Sequence, residues 1–357
     1  MAGLDPVYKE LAAIIKMENS ETMQKILAKL ATPEQAKVIL ELPKPSEEIA
    51  QKLGLSKETV DKHIQEMVEK GLVVLTRRGP RMPRSEGQFH DLQTNEKFDK
   101  ALGSEYFALW RQLMKELGAE RRKLRAAQQT QPTGRIIPRW NAVKDVPGTL
   151  PFEDVSVILR AHLPVGLVHC ACKRINNDRE CGVPDECCII FGRTAEFNIR
   201  DRKCARELTY DEAMALIEKL DKQPVIHLVP NVRDVGILLC NCHNDCCDVL
   251  KPWVDENGKI SPDWRKTHAP SRFLAIVDPK NCRACKLCVK RCQFGAVQMK
   301  FYPEFDQERA FVDTEICMGC GSCVVTCPGK ARTMKLVRPP EHVPADLGRV
   351  FWDNTGT

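Results

Sequence analysis

All 18 cysteines of this 357-residue chain lie between Cys170 and Cys327, and none precedes Cys170. A density that high confines the second half of the chain to a disulfide scaffold or to metal sites. Compartment decides between the two. The opening MAGLDPVYKE has no charged and apolar export pattern. The most apolar stretch, Val155 to Val168, is broken by Arg160, His162 and Pro164, and falls short of the roughly 20 apolar residues of a membrane span. The expectation is a cytoplasmic protein, where thiols stay reduced and close-set cysteines bind metal. With 43% hydrophobic and 29% charged residues the composition is that of a globular protein, and the length predicts two or three domains.

The cysteines fall into two kinds of pattern. Near the end, CRACKLCVKRC places Cys282, Cys285, Cys288 and Cys292 at C-x2-C-x2-C-x3-C, and CMGCGSCVVTCP repeats the spacing with Cys317, Cys320, Cys323 and Cys327. Val277-Asp278 precedes the first run as Val312-Asp313 precedes the second, so the unit is duplicated. Tight loops with two intervening residues let three thiolates wrap one face of a cubane while a fourth arrives from elsewhere. Zinc ribbons use separated C-x2-C pairs instead. Residues 275–337 therefore resemble a two-cluster bacterial ferredoxin. The resemblance implies two 4Fe-4S clusters that move single electrons, one on Cys282, Cys285, Cys288 and Cys327, the other on Cys317, Cys320, Cys323 and Cys292. One departure stands out: Gln293 follows Cys292 where the pattern has proline.

Upstream, HCACKRINNDRECGVPDECCIIFG and LCNCHNDCCDVL carry nine further cysteines, with Cys204 between the two stretches. Residues 149–250 resemble the uncharacterised domain found beside dicluster ferredoxins in anaerobic iron-sulfur proteins. In that comparison Cys170, Cys172, Cys181, Cys188, Cys240, Cys242, Cys246 and Cys247 fall on recurrent positions, while His243 and Asp245 stand where cysteines are common. Adjacent thiols such as Cys246 and Cys247 do not readily bind one iron, so not all are ligands. The readings are a third 4Fe-4S cluster drawing on both loops, a zinc site, or, for Cys187, Cys204 and some pairs, small buried hydrophobes. His169 and His243 flank the loops as hydrogen-bonding neighbours of a centre.

The first part is helical. Leu11, Ile14 and Ile15, then Met23, Ile26, Leu27 and Leu30, recur at helical spacing, and Thr32 with Pro33 caps another helix. Ser46 caps a short helix, Gly54 turns, Ser56 caps a second helix ended by Gly71, and Leu72 to Thr76 reads as a strand. Residues 33–80 thus resemble the winged-helix domains of transcriptional regulators. That implies DNA contact through the helix from Ser56 and through Arg77, Arg78, Arg81 and Arg84 on phosphates. Glu58, Asp61, Glu66 and Glu69 on the same helix oppose this, so dimerisation or docking is favoured. The net charge of +6 is concentrated between Arg111 and Arg139, which suits either nucleic acid or a solvated helix and linker that meets an acidic partner.

The expected fold is an α+β multidomain chain. It comprises a helical domain with the winged helix-turn-helix over 1–130, a Pro- and Gly-punctuated linker at 131–149, a Cys-rich mixed α/β domain at 150–270 with its cysteines on loops, a two-cluster ferredoxin-like domain at 271–340 and a tail at 341–357. The capping pair Thr209 and Glu212 opens a helix to Leu220, and Val225–Val229 and Val235–Leu239 read as strands. No dinucleotide, Walker or nucleophile pattern occurs. The expected function is electron relay to or from a redox partner protein in anaerobic metabolism, as a component of an oxidoreductase system rather than an enzyme on its own. A homodimer would form through the N-terminal domain. The alternatives are a redox-sensing DNA-binding regulator, and an enzyme whose middle-domain cluster has His243, Asp245 or water on an open iron.

Overall fold

The computed structural model describes residues 4–127 and 131–346, with 119–127 described by backbone alone. Arg121, Arg122, Lys123, Arg125 and the tail beyond 346 lie outside the described side chains. The chain begins with helices α1 (Val7–Ile14), α2 (Glu21–Leu30), α3 (Pro33–Glu41), α4 (Ser46–Leu53) and α5 (Lys57–Glu69). Ser20 and Ser56 accept from the amides of Met23 and Thr59, and Thr32 forms a reciprocal capping box with Gln35. Ser46 is already inside α4, which starts after Pro45 without a side-chain cap, so its expected capping role is corrected. The hairpin β1 (Val74–Thr76) and β2 (Gly79–Arg81) follows, then α6 (Glu86–Asp91) and the long α7 (Asp99–Ala127), broken at Gly103. Leu11, Met23, Ile26, Leu72, Phe89 and Trp110 lie in one buried core of this region.

A seven-stranded sheet forms the centre of the molecule. Its strands are β3 (Gly134–Ile137), β4 (Val165–His169), β5 (Glu186–Phe191), β6 (Ala205–Leu208), β7 (Ile226–Pro230), β8 (Leu238–Cys242) and β9 (His268–Ala269), in the spatial order β6-β4-β5-β8-β7-β3-β9. All neighbours are antiparallel except β3 and β9. The two-residue alternation of a strand separates its faces. Leu167, Ile189, Phe191 and Leu239 pack with residues of α9 (Val155–Ala161) and α12 (Tyr210–Asp221) in one core. Cys188 and Ile190 of β5, and Leu238, Cys240 and Cys242 of β8, point the other way.

Three sequence expectations change here. The segment expected as a linker at 131–149 supplies β3, an interior strand of the sheet, and then α8 (Trp140–Val143). The strand expected at Val235–Leu239 runs from Leu238 to Cys242. Consequently Cys240 and Cys242, like Cys187 and Cys188, lie on strands and not on loops. The short α10 (Ala171–Ile175) and α11 (Gly192–Glu196) complete this part.

Beyond β9, two antiparallel pairs repeat one plan: β10 (Phe273–Val277) with β13 (Arg332–Leu336), and β11 (Val297–Tyr302) with β12 (Gln307–Val312), accompanied by α13 (Leu287–Arg291) and α14 (Ser322–Val325). Arg139 fastens this unit to the sheet. Its guanidinium is fully buried, donates to the Leu220 carbonyl at 2.9 Å and pairs with Asp221 at 2.9 Å, while its backbone N–H donates to the Cys320 carbonyl at 3.1 Å. Arg135 is buried as well and donates to the Phe152 carbonyl. Two cations expected on a solvated segment are thus internal. Removing one partner of a buried ion pair strands the other charge at a cost of about 3–5 kcal/mol. Arg139→Leu is expected to lower the urea unfolding midpoint markedly, and Asp221→Asn added to it to recover part of the loss.

Candidate metal centres

Cys292 of the first C-x2-C-x2-C-x3-C run meets the first three thiols of the second run. Cys292, Cys317, Cys320 and Cys323 line one small cavity together with Phe294, Met318 and the backbone of Gly319 and Gly321. Gly319 has φ +70°, and a Cβ there would lie 2.1 Å from the Phe273 carbonyl oxygen, so only glycine lets the loop fold this close to β10. Burial pushes the Cys320 thiol up to about 12, with Cys292 and Cys317 adding to the effect. Cys323 moves in the same direction for the same first reason. Thiols so buried become thiolates only against a positive partner, which a bound metal supplies. Around Cys282, Cys285, Cys288 and Cys327 the surroundings differ: Cys288 is buried, Cys282 and Cys327 are half-buried and Cys285 is exposed.

Arg332 stands between the two sets. It is 4% exposed, its two terminal nitrogens have no oxygen acceptor among the described residues, and they face the thiols of Cys288 and Cys323. Burial alone would lower its pKa, yet those thiols raise it on balance. A buried cation with sulfur as its only neighbouring acceptor fits an anionic cluster on either side.

Gln293, the departure from the proline pattern, holds the end of the first cysteine run to the middle domain. Its amide donates to the Pro224 carbonyl at 2.6 Å and its oxygen accepts from the Asn244 N–H at 2.9 Å. Lys259 adds a bond to the Cys292 carbonyl at 2.9 Å.

In the middle domain six thiols close a ring. Cys170 neighbours Cys172 and Cys188; Cys188 neighbours Cys240; Cys240 neighbours Cys242; and Cys247 joins Cys242 back to Cys172. Five positions make this possible, because β5 and β8 are adjacent and Cys188, Cys240 and Cys242 share a face, while Cys170 and Cys172 open α10 beside them. Cys187 also belongs to the group: its sulfur lies within 4.8 Å of those of Cys170 and Cys188. Sequence reasoning placed Cys187 among candidate apolar fillers, and the signal available was its adjacency to Cys188. Cys181 and Cys246 stand apart from the ring, 3.8 Å from each other. His243 and Asp245, the two positions where cysteines are common, pair at 2.8 Å, and Asp245 accepts from the Cys181 N–H at 2.8 Å. Cys204 is remote, its thiol bonded to Asn198 and Thr94. His169 lies 4.0 Å from Glu96.

The ring carries its own countercharge. Lys173 is 1% exposed, donates to the Asn241 carbonyl at 2.8 Å, and is surrounded by Cys170, Cys187, Cys188 and Cys246. Burial alone would discharge it, but the thiols hold its pKa above the usual value. Hydrogen bonds from Cys172, Cys187 and Cys188 keep Cys170 well below the ordinary thiol range, and those from Cys188 and Cys242 bring Cys240 down to about 5. The donors Cys172, Cys188 and Cys242 rise correspondingly. Thiolates beside a buried ammonium, with further thiols in reach, form a donor set suited to soft metal ions.

One residue of this site was invisible in the sequence. His90, in α6, reaches across from the N-terminal helices, donates toward Asp248 at 3.0 Å and Asp91 at 3.1 Å, and lies 4.0 Å from the Cys172 sulfur. Burial opposes its charge, but Cys172 and the two carboxylates raise its pKa well above the usual value.

Two antiparallel strand pairs frame the duplicated cysteine runs. Residues 274–335 match the family model of the 4Fe-4S dicluster domain, and the cofactor of this region is of the 4Fe-4S type. No curated protein and no solved structure matches the chain.

The basic residues assigned to nucleic acid are dispersed. Arg77 and Arg78 are exposed at the β1–β2 turn and Arg84 is exposed before α6, whereas Arg81 is partly buried and donates to the Met82 carbonyl. Arg202 of the middle domain holds the end of α5, donating to the Val68 carbonyl at 3.1 Å, and Gln65 of α5 donates to the Asp201 carbonyl at 3.1 Å. Among the described residues no helix is long and apolar enough to cross a membrane. Because a Cβ at residue 319 collides with the β10 backbone, Gly319→Val is expected to abolish one cluster and lower iron content by about 4 per chain, read by colorimetric iron and sulfide assay.

Proposed function

We propose that the chain is an iron-sulfur electron-transfer protein with three metal centres in series. The observation that carries this reading is a shared core. Cys285 is exposed, while Cys292, Cys317 and Cys323 lie in one buried core with Cys242 and Cys247 of the six-thiol ring. Electrons would be exchanged with a partner at the first cluster, pass to the second and continue to the ring. The Gln293 bridge fixes the last interval.

The partner surface on this reading is acidic, because Lys280, Arg283, Lys286 and Lys290 are exposed around Cys285. Rim charges of this kind speed encounter and are screened by salt. The N-terminal helices, held by Arg202 and by Arg174, which pairs with Asp99 and caps the Gln93 carbonyl, serve as a fixed platform that closes the middle domain. The capture of α5 by Arg202 favours this role over DNA reading. The ring holds iron, most simply a third 4Fe-4S cluster.

Anaerobically purified protein is expected to contain about 12 iron and matching acid-labile sulfide per chain. About 8 iron with stoichiometric zinc would make the ring a zinc site and end the three-centre relay. Cys320→Ser is expected to remove one low-potential paramagnetic signal and to block electron passage to the ring while leaving reduction of the first cluster intact. The rate of reduction by an acidic donor protein is expected to fall as ionic strength rises; a rate indifferent to salt would sink the basic docking surface.

A further inference from the structure

Beside the six-thiol ring, Cys181 and Cys246 form a group of their own with His243 and Asp245. The two sulfurs lie 3.8 Å apart, and Cys246 is fully buried. A ring nitrogen of His243, a carboxylate oxygen of Asp245 and the Cys181 sulfur all lie within 4.8 Å of one another, and the carboxylate is within hydrogen-bonding reach of both thiols. Three of the four residues come from one tight turn, in which the Cys246 and Cys247 amides donate to the His243 carbonyl at 3.3 and 3.0 Å. Cys181 arrives from the loop before β5. The turn also separates two adjacent thiols, Cys246 joining this group and Cys247 the ring.

The spacing fits one tetrahedral ion. Two Zn–S bonds of about 2.3 Å at the tetrahedral angle put their sulfurs about 3.8 Å apart, which is the separation of Cys181 and Cys246. Asp245 is arranged to ligate through one oxygen: Oδ2 accepts from the Glu180 and Cys181 N–H groups at 3.2 and 2.8 Å, which leaves Oδ1 against His243 Nδ1 at 2.8 Å. Bonds of about 2.0 Å from one ion to that oxygen and nitrogen would separate them by about 3.3 Å, an opening of about 0.5 Å. Two thiolates, an imidazole and a carboxylate are a zinc donor set. A cubane with a thiolate on every iron needs four sulfurs, and only two are present. The side chains of His243 and Asp245 are 17% and 31% exposed, so an ion can enter from solvent.

We propose that Cys181, His243, Asp245 and Cys246 hold one zinc ion, separate from the six-thiol ring, that clamps the turn carrying Cys247 to the loop carrying Cys181. Two thiolates and a carboxylate leave the loaded site one negative charge, which Lys173 beside Cys246 offsets. Zinc has no redox chemistry, so the site adds no electron step. Its effect is positional. Asn244, in the same turn, accepts no metal but bonds Gln293 through its N–H and the Gly258 carbonyl through its side chain, so the clamp steadies the junction between the middle domain and the ferredoxin-like unit.

Full-length, anaerobically purified protein is expected to contain about 1 zinc per chain beside its iron, with zinc-edge X-ray absorption showing two sulfur and two nitrogen or oxygen neighbours. Asp245→Ala should weaken zinc at least about 100-fold in chelator competition, since loss of an outer-shell partner alone costs about 10–100-fold, and should leave iron and acid-labile sulfide as in the wild type. Where that variant does not accumulate, Asp245→Asn, which keeps the side chain's size, gives the same reading. Cys240→Ser should instead lower iron and leave zinc in place. Wild-type protein that takes up no zinc under reducing conditions, zinc retained unchanged by Asp245→Ala, or four sulfur neighbours at the zinc edge would each overturn the proposal. About 8 iron with one zinc that is lost on changing Asp245 would end the three-centre relay and keep this site; about 12 iron without zinc would do the reverse.

Discussion

Placing many thiolates in a low-dielectric interior is the constraint around which the rest of the molecule is arranged. Each buried negative sulfur needs a positive neighbour. Two side chains meet that need before any metal is considered: Lys173 among the ring thiols and Arg332 between the ferredoxin-type sets. Both are almost fully enclosed. A lysine or arginine without partners would not remain charged at such depth, so these two positions and the cysteines around them depend on one another. The short sequence Cys170-Ala171-Cys172-Lys173-Arg174 places both needs on one turn of helix. Lys173 turns toward the sulfurs, and Arg174 turns outward to the carbonyls and carboxylate of the preceding helices.

The same economy governs how the parts are joined. The ferredoxin-type unit is held by groups beside its own ligands: the Cys320 carbonyl, the Cys292 carbonyl and Gln293. Any movement that shifted the unit would therefore disturb a cluster loop directly. Buried pairs on both flanks, Arg139 with Asp221 and Arg272 with Glu153, add rigidity of the kind that a fixed inter-centre distance requires.

How much of this was readable beforehand follows from the range of the interactions. The duplicated cysteine spacing is local, so the dicluster region could be read directly, as could helix starts at Ser56, Thr32 and Thr209, where a cap and its amide are only three residues apart. The ring could not be read as a ring. Its closure depends on β5 and β8 lying side by side, and on strand alternation that sends Cys188, Cys240 and Cys242 to one face, so Cys181 and Cys246 looked equivalent to them in sequence. Gly134 to Arg139 looked like a linker because of its Pro and Gly neighbours, while Arg139 is buried against Leu220 and Asp221 and Arg135 against the Phe152 and Val232 carbonyls. His90 carries no motif at all, and its place is set by the docking of one end of the chain on another.

The parallel pairing of β3 with β9 bears on the order in which the molecule is assembled. Gly134 and Arg135 meet His268 and Ala269, so one edge of the sheet is completed by a pair of segments separated by almost the whole middle domain. During synthesis the thiols of the ring emerge well before that edge strand does. The nascent chain therefore passes through a stage in which soft, reactive donors are present without their finished enclosure. Metal delivery and closure of the sheet then become competing events, and the thiols are most open to oxidation in the interval between them.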